Sequence, residues 1–135
     1  MYDNGNLLAL IILADYDKKG ISFFTENEYS QQLAFMHHEK GHVILPHIHN
    51  EVKREVFYTK EVLVIRKGML KCDFYDRNRE YVDSYVLNGG DVILLIDGGH
   101  GFECLEETEM YEIKQGPYAG DSDKTRFDPE TKEDL

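Results

Sequence analysis

The stretch GHVILPHIHN, residues 41–50, decides how the chain is read. Val43, Ile44, Leu45 and Ile48 give it the apolar density of a strand interior, which predicts a strand over 42–49. In a strand, residues i and i+2 point to the same face. His47 and His49 are therefore expected side by side, each with a ring nitrogen free. Two neutral imidazoles on one face make half of a metal site.

Around this stretch, 135 residues with a hydrophobic fraction of 41% and many Tyr and Phe fit one folded domain with a sizeable core. The net charge of −11 excludes nucleic acid as a main partner, because neutralising phosphates needs clustered Lys and Arg. It also disfavours an anionic membrane surface. A spanning helix needs about 20 apolar residues, and LLALIILA, residues 7–14, is eight long. MYDNGN before it lacks the basic residues of a secretory signal, so the expectation is a cytoplasmic protein. Cys72 and Cys104 have no metal-motif spacing and are expected to be reduced thiols.

Short extended segments divided by turn signals fill the chain. Strands are expected at 7–14, 21–24, 31–38, 42–49, 61–66, 69–75, 81–87, 91–96, 101–105 and 109–114. EKG, RKG, DRNRE, NGG and DGG separate them as turns. No long segment carries a 3.6-residue period, so the pattern predicts an all-β sandwich or barrel. One domain is expected over 1–118. Residues 119–135, AGDSDKTRFDPETKEDL, hold six acids and three bases and read as an extended or frayed acidic tail.

Two further residues can complete the site opened by His47 and His49. Glu61 heads the strand EVLVIRKG, and His100 follows the glycine turn in GGDVILLIDGGHGFE. Three imidazoles and one carboxylate suit Fe, Mn, Ni, Co or Zn and leave positions for water or substrate. Glu55 is closer in sequence to the histidines and is the alternative carboxylate. His37, His38 and His42 are expected to be hydrogen-bonded packing groups. If Glu61, Leu63 and Ile65 face inward, Val62 and Val64 face outward and need cover. The strand at 7–14 supplies it or pairs across a two-fold axis. Phe102 is expected on the His100 side and Glu103 away from it, and ECLEETEMYE, residues 103–112, reads as a solvent-facing acidic hairpin.

With these residues the chain resembles the cupin superfamily. Its first motif, G-x5-H-x-H followed by Glu-x6-Gly, is matched by Gly41, His47, His49, Glu61 and Gly68. Its second, a Gly-Asp strand running through a turn to one His, is matched by Gly90, Asp91, Gly98 and His100, with Ile96 where proline is usual. Eleven residues, NEVKREVFYTK, separate His49 from Glu61, a longer spacing than the family's usual one. The resemblance implies a double-stranded β-helix, or jelly-roll barrel, forming a homodimer. It implies a divalent transition metal on His47, His49, Glu61 and His100. The activity it implies is an isomerase- or epimerase-type proton transfer on a sugar or sugar nucleotide. A metal-dependent dioxygenase and a non-catalytic ligand-binding cupin are the alternatives, and metal-free barrels use the histidines as bases.

The long spacing carries its own signal. Lys53, Arg54 and Lys60 cluster in an otherwise acidic chain and are candidates to bind the phosphate or carboxylate of a small anionic substrate. Phe57 and Tyr58 can stack on a ring. The competing reading is a solvated loop whose charges pair with Glu51 and Glu55. With His47 and His49, Tyr58 is the candidate catalytic group; Tyr75, Tyr111 and Tyr118 are further possible acids.

Overall fold

The computed structural model describes residues 1–129. In chain order it contains β1 (Tyr2–Asp3), β2 (Asn6–Leu7), β3 (Ala9–Ile12), β4 (Gly20–Phe23), β5 (Ala34–His37), β6 (Glu61–Lys67), β7 (Met69–Tyr75), β8 (Tyr81–Asn88), β9 (Val92–Leu95), β10 (Gly99–Cys104), β11 (Glu109–Lys114) and a 3₁₀ turn, Gly120–Asp123. Every pairing is antiparallel. Four strands run in the order β11-β6-β9-β3 and three in the order β10-β7-β8, while β4 pairs with β5 and β1 with β2. The all-β expectation holds in this form. Among the described residues the sheets do not close into a barrel; β10, β8, β11 and β3 are left as edges.

Alternation along each strand puts one set of apolar side chains into a shared core. Leu63 and Ile65 of β6, Ile93 and Leu95 of β9 and Ala9 of β3 meet Leu70, Cys72 and Phe74 of β7 and Leu87 of β8. Each large side chain so buried stabilises the fold by about 1.5–3 kcal/mol. The two sheets are thus held face to face by residues spaced two apart, as the period-2 pattern demands.

The chain changes sheet at glycines. Gly68 alone separates β6 from β7 at φ +106°, and a Cβ there would collide with the Glu107 carbonyl oxygen. Gly98, at φ +74°, turns β9 into β10, and a Cβ would strike the Tyr75 carbonyl. Both positions need the left-handed region and a close backbone approach, which only glycine allows. Between β8 and β9 the buried Asp91 carboxylate accepts the N–H groups of Ala14, at 2.8 Å, and Asn88, at 2.7 Å. It ties the start of β9 to the chain leaving β3.

Three expectations need correction. No strand forms over 42–49: residues 38–60 between β5 and β6 have no regular secondary structure. Val43, Leu45 and Ile48 are 71%, 76% and 86% exposed. Apolar density makes a segment competent for a strand, but a ladder also needs a partner edge, and Pro46 removes one N–H from any such ladder. The apolar strand near the N-terminus does not lie over Val62 and Val64 either. β3 joins the same sheet, beside β9, so Leu10, Leu94, Val62 and Ile113 stand in one row on its outer face.

The third correction concerns the frayed tail. Residues 119–127 return to the body: the Thr59 hydroxyl donates to Asp123, and the Phe127 ring meets Tyr75 edge-on at 5.2 Å and 90°. Residues 130–135 of that segment lie outside the described residues. Cys72 is buried and Cys104 exposed, both as free thiols. Among the described residues no helix is long and apolar enough to cross a membrane.

Candidate functional site

Glu61 is the first residue of β6 and shares its face with Leu63 and Ile65, so its side chain points between the sheets. His100 is opposite Phe74 in the β10–β7 ladder, and Phe74 is a core residue. Directly paired residues share a face, so His100 enters the same space from the opposing sheet. The two meet there: His100 Nε2 is 2.8 Å from Glu61 Oε1. The Glu61 side chain is 14% exposed and that of His100 30%. The pair therefore sits at a mouth of the intersheet space, reachable but largely screened from water.

β11 supplies the rest. Glu112 pairs with Leu63 and Lys114 with Glu61 in the β11–β6 register, so both share the inner face. The His100 hydrogen bond holds the Glu61 carboxyl down at about 2, outweighing burial, with a hydrogen bond from Glu112 and the charges of His100 and Lys114 acting the same way. Glu112 shifts upward, because it hydrogen-bonds to Glu61, is partly desolvated and faces the Glu61 charge. Burial pushes the Cys72 thiol up to about 12, with the charges of Asp73 and Glu61 adding to it. The Phe102 ring lies 5.4 Å from the His100 ring, on the side expected of it.

This arrangement can perform two kinds of chemistry. An ionised carboxylate fixed against an imidazole sets the ring's tautomer and forms an acid–base pair. The same two atoms, aimed at one point, are a carboxylate oxygen and an imidazole nitrogen of the kind that ligate divalent metals.

His47 and His49 are neighbours without a strand to hold them. Their rings are 5.2 Å apart in an edge-to-face arrangement, and His47 Nδ1 is 2.9 Å from the Leu45 carbonyl oxygen, which leaves Nε2 free. They belong to the exposed stretch 41–58, and among the described residues no hydrogen bond, ion pair or ring contact joins them to Glu61 or His100. Among the described residues no group of three or more His, Cys, Asp and Glu side chains stands together so as to hold a metal ion. Glu55 is exposed in the same segment.

The basic cluster is spread out. Lys53 and Arg54 are exposed and make no ion pair with Glu51 or Glu55 among the described residues. Lys60 is half-buried beside β6, its carbonyl accepting the Gln115 N–H at 3.2 Å. Tyr58 carries the Arg77 guanidinium 3.9 Å above its ring, while Phe57 is 86% exposed. Tyr75 packs against Tyr81 and Phe127. The Tyr111 hydroxyl accepts from Arg66 at 3.3 Å, and Tyr118 is exposed. Of the remaining histidines, His37 Nδ1 is 2.5 Å from Asp17 Oδ1. His38 departs from the hydrogen-bonded packing expected of it: its buried Nε2 has no partner, and its ring stacks on His42 at 4.0 Å.

Glu112 escaped the sequence reading because it sits where an acidic, solvent-facing hairpin was expected, and Lys114 because it lies two residues beyond that stretch. The signal that finds them is the alternation Met110, Glu112, Lys114, which places all three on the inner face of β11. Compared with protein-family models, curated proteins and solved structures, the chain matches none of them.

Proposed function

We propose that the chain is a metal-binding cupin that catalyses an isomerase- or epimerase-type proton transfer on a small anionic metabolite of the sugar class. The observation that carries this reading is the 2.8 Å meeting of Glu61 and His100 from two different sheets. The donors fit a divalent transition metal: one carboxylate held ionised far below neutral pH, and one imidazole nitrogen aimed at the same point. In this reading Glu61 and His100 form the inner half of the centre, and His47 and His49 the outer half. The free edge of β10 offers a place for segment 42–49 to pair as an added strand, which would also cover its exposed apolar residues.

A divalent ion held there would supply Lewis acidity at a carbonyl or hydroxyl. The chain's own residues orient and exchange protons. Glu61 fixes the His100 ring, and Glu112, whose carboxyl is shifted upward, can take or return a proton at the mouth. A second reading, favoured by the direct Glu61–His100 hydrogen bond, is a metal-free site that uses this pair as base and acid.

Metal analysis after incubation with Fe, Mn, Ni, Co and Zn tests the proposal. Wild type is expected to retain about one ion per chain. Both the Glu61→Gln/His100→Ala and the His47→Ala/His49→Ala variants are expected to lose it while keeping their β-sheet circular dichroism. A wild type that retains none of these metals sinks the metal reading. Full retention by the His47/His49 variant removes those two residues from the centre. Oxygen uptake with candidate substrates would move the activity to a dioxygenase.

A further inference from the structure

The chain, of 15.7 kDa, exposes 10281 Å² of surface. Folded monomers of that mass expose about 7,300 Å², so about 3,000 Å² is in excess. Six residues of extended chain, the length of 130–135, carry at most about 1,000 Å² of it. The remaining excess, about 2,000 Å², is more than a self-sufficient monomer leaves in water. Its apolar part is concentrated in two places. Between Val43 and Tyr58, eight large apolar side chains are exposed. On β10 and β11, edge strands of the two sheets, Phe102 and Met110 sit on inner faces yet are exposed, and so is Leu105 just after β10.

The stretch 41–58 is an arm pinned near both ends. The His42 ring stacks on His38 at 4.0 Å, and the Tyr58 ring lies 3.9 Å under the Arg77 guanidinium. The arm matches the β10 edge in register and in charge. Leu105 N–H donates to the Met69 carbonyl at 2.9 Å, so by alternation the N–H and C=O groups of Cys104, Phe102 and His100 point away from β7, to the free edge. The same three residues pair with Leu70, Cys72 and Phe74, so their side chains are on the inner face. In an antiparallel strand added there, the residues that bond to β10 also point inward. With Leu45, His47 and His49 in that role, the N–H that Pro46 lacks faces away from β10, where an edge strand needs no donor. Among the described residues, Lys53 and Arg54 form no ion pair, and neither do Glu103, Glu106 and Glu107 around the end of β10. A chain of net charge −11 repels its own copies except where such opposite charges meet.

We infer that the arm of one copy docks on the β10 edge of a second copy as an added antiparallel strand, reciprocally about a two-fold axis. Each Glu61–His100 pair then receives the His47–His49 pair of the other copy, so the site is complete only in the dimer. The excess surface of two chains, about 4,000 Å², lies within the range that obligate homodimers bury. The docking stands on surface, register and charge. Only the ion expected where the two pairs meet rests on the reading of Glu61 and His100 as a metal centre.

Sedimentation equilibrium of the full chain, with and without Zn, tests it: wild type is expected at twice 15.7 kDa, more tightly associated with the metal. Leu45→Glu and Lys53→Glu/Arg54→Glu alter exposed residues of irregular chain, and each should raise the dimer Kd about tenfold or more. The effect of the charge reversal should shrink as salt rises. Cross-linking locates the strand. His49 opposite His100 places Leu45 opposite Cys104, and His47 opposite His100 places Val43 there. Leu45→Cys or Val43→Cys, oxidised with diamide, should therefore give a disulfide-linked dimer that Cys104→Ser abolishes. A wild type of monomer mass at every concentration overturns the inference. So does a dimer indifferent to both arm variants, a disulfide to Cys104 formed within one chain, or no linked dimer from either cysteine variant. A dimer that holds no metal leaves this inference standing and sinks the metal reading alone, whereas a metal-loaded monomer does the reverse.

Discussion

Glu61 and His100, 39 positions apart, join the four-stranded sheet to the three-stranded one through a single 2.8 Å contact. Beyond Glu112 and Lys114 at the same mouth, the core residues between the sheets are apolar. Such a pair stabilises only while both partners are present, since removing one leaves a screened charge without its complement.

Acid should expose this dependence in the metal-free protein. Glu61 falls from 4.5 to about 2 on folding, so its contribution is full above about pH 4.5 and disappears as pH drops toward 2. The contribution is on the order of 2 kcal/mol, given the strong coupling of the pair. Glu112 shifts the other way, so what it adds is present at low pH and lost as pH rises. Urea unfolding at pH 7, 4 and 2.5 should show wild type losing stability steeply and Glu61→Gln much less. Parallel curves would deny Glu61 its depressed carboxyl.

The two thiols should separate cleanly. Cys104 is exposed and should react with a disulfide reagent within seconds to minutes at pH 8. Cys72 is buried and pushed up to about 12, so it should react only on unfolding. Two equally fast thiols would mean that the core around Phe74 and Leu70 opens readily.

Asp91→Ala should destabilise the fold by about 2–3 kcal/mol, since it strands the buried N–H groups of Ala14 and Asn88. Asp91→Asn keeps one acceptor and should cost roughly half. Thermal melts of both variants check the order, and a harmless Asp91→Ala would mean that water replaces the carboxylate.

Trypsin reads the 38–60 segment. Lys53 and Arg54 are exposed in irregular chain, so the metal-free protein should be cut there first. If segment 42–49 pairs with β10 when a metal binds, adding the metal should slow that cut at least tenfold. Unchanged cleavage in the presence of a bound ion would place the segment outside the centre.

The sequence disclosed strands wherever alternation, a turn and a partner agreed. At 69–75 and 109–114 the expected and observed strands coincide, because apolar positions two apart face a core that the rest of the chain completes. At 42–49 apolar content pointed to a strand, but no edge pairs with it, and pairing is a property of the whole fold. Phe102 followed from parity, whereas Glu61 was singled out by its place at the head of a strand, seven positions before Gly68. Glu112 and Lys114 did not, since a charge on an edge strand looks solvent-bound until its register against Leu63 and Glu61 is known. Phe127 was hidden by a tail composition that one aromatic ring, seated over Gly99, was enough to override.

The order of strands in the larger sheet sets a timetable for assembly. β6 is flanked by β9 and β11, and β9 by β3, so the first long strand and the last both sit at the edges. A ribosome that has released β3 and β6 still owes them their neighbours, and the sheet cannot be completed until residue 114 is free. The hairpin of β7 and β8, joined by the short 76–80 turn, can form early, whereas the pairings of β6 close loops of tens of residues. Folding of this chain should therefore be slow for its size, with apolar edges of β6 and β9 exposed to other chains in the interval.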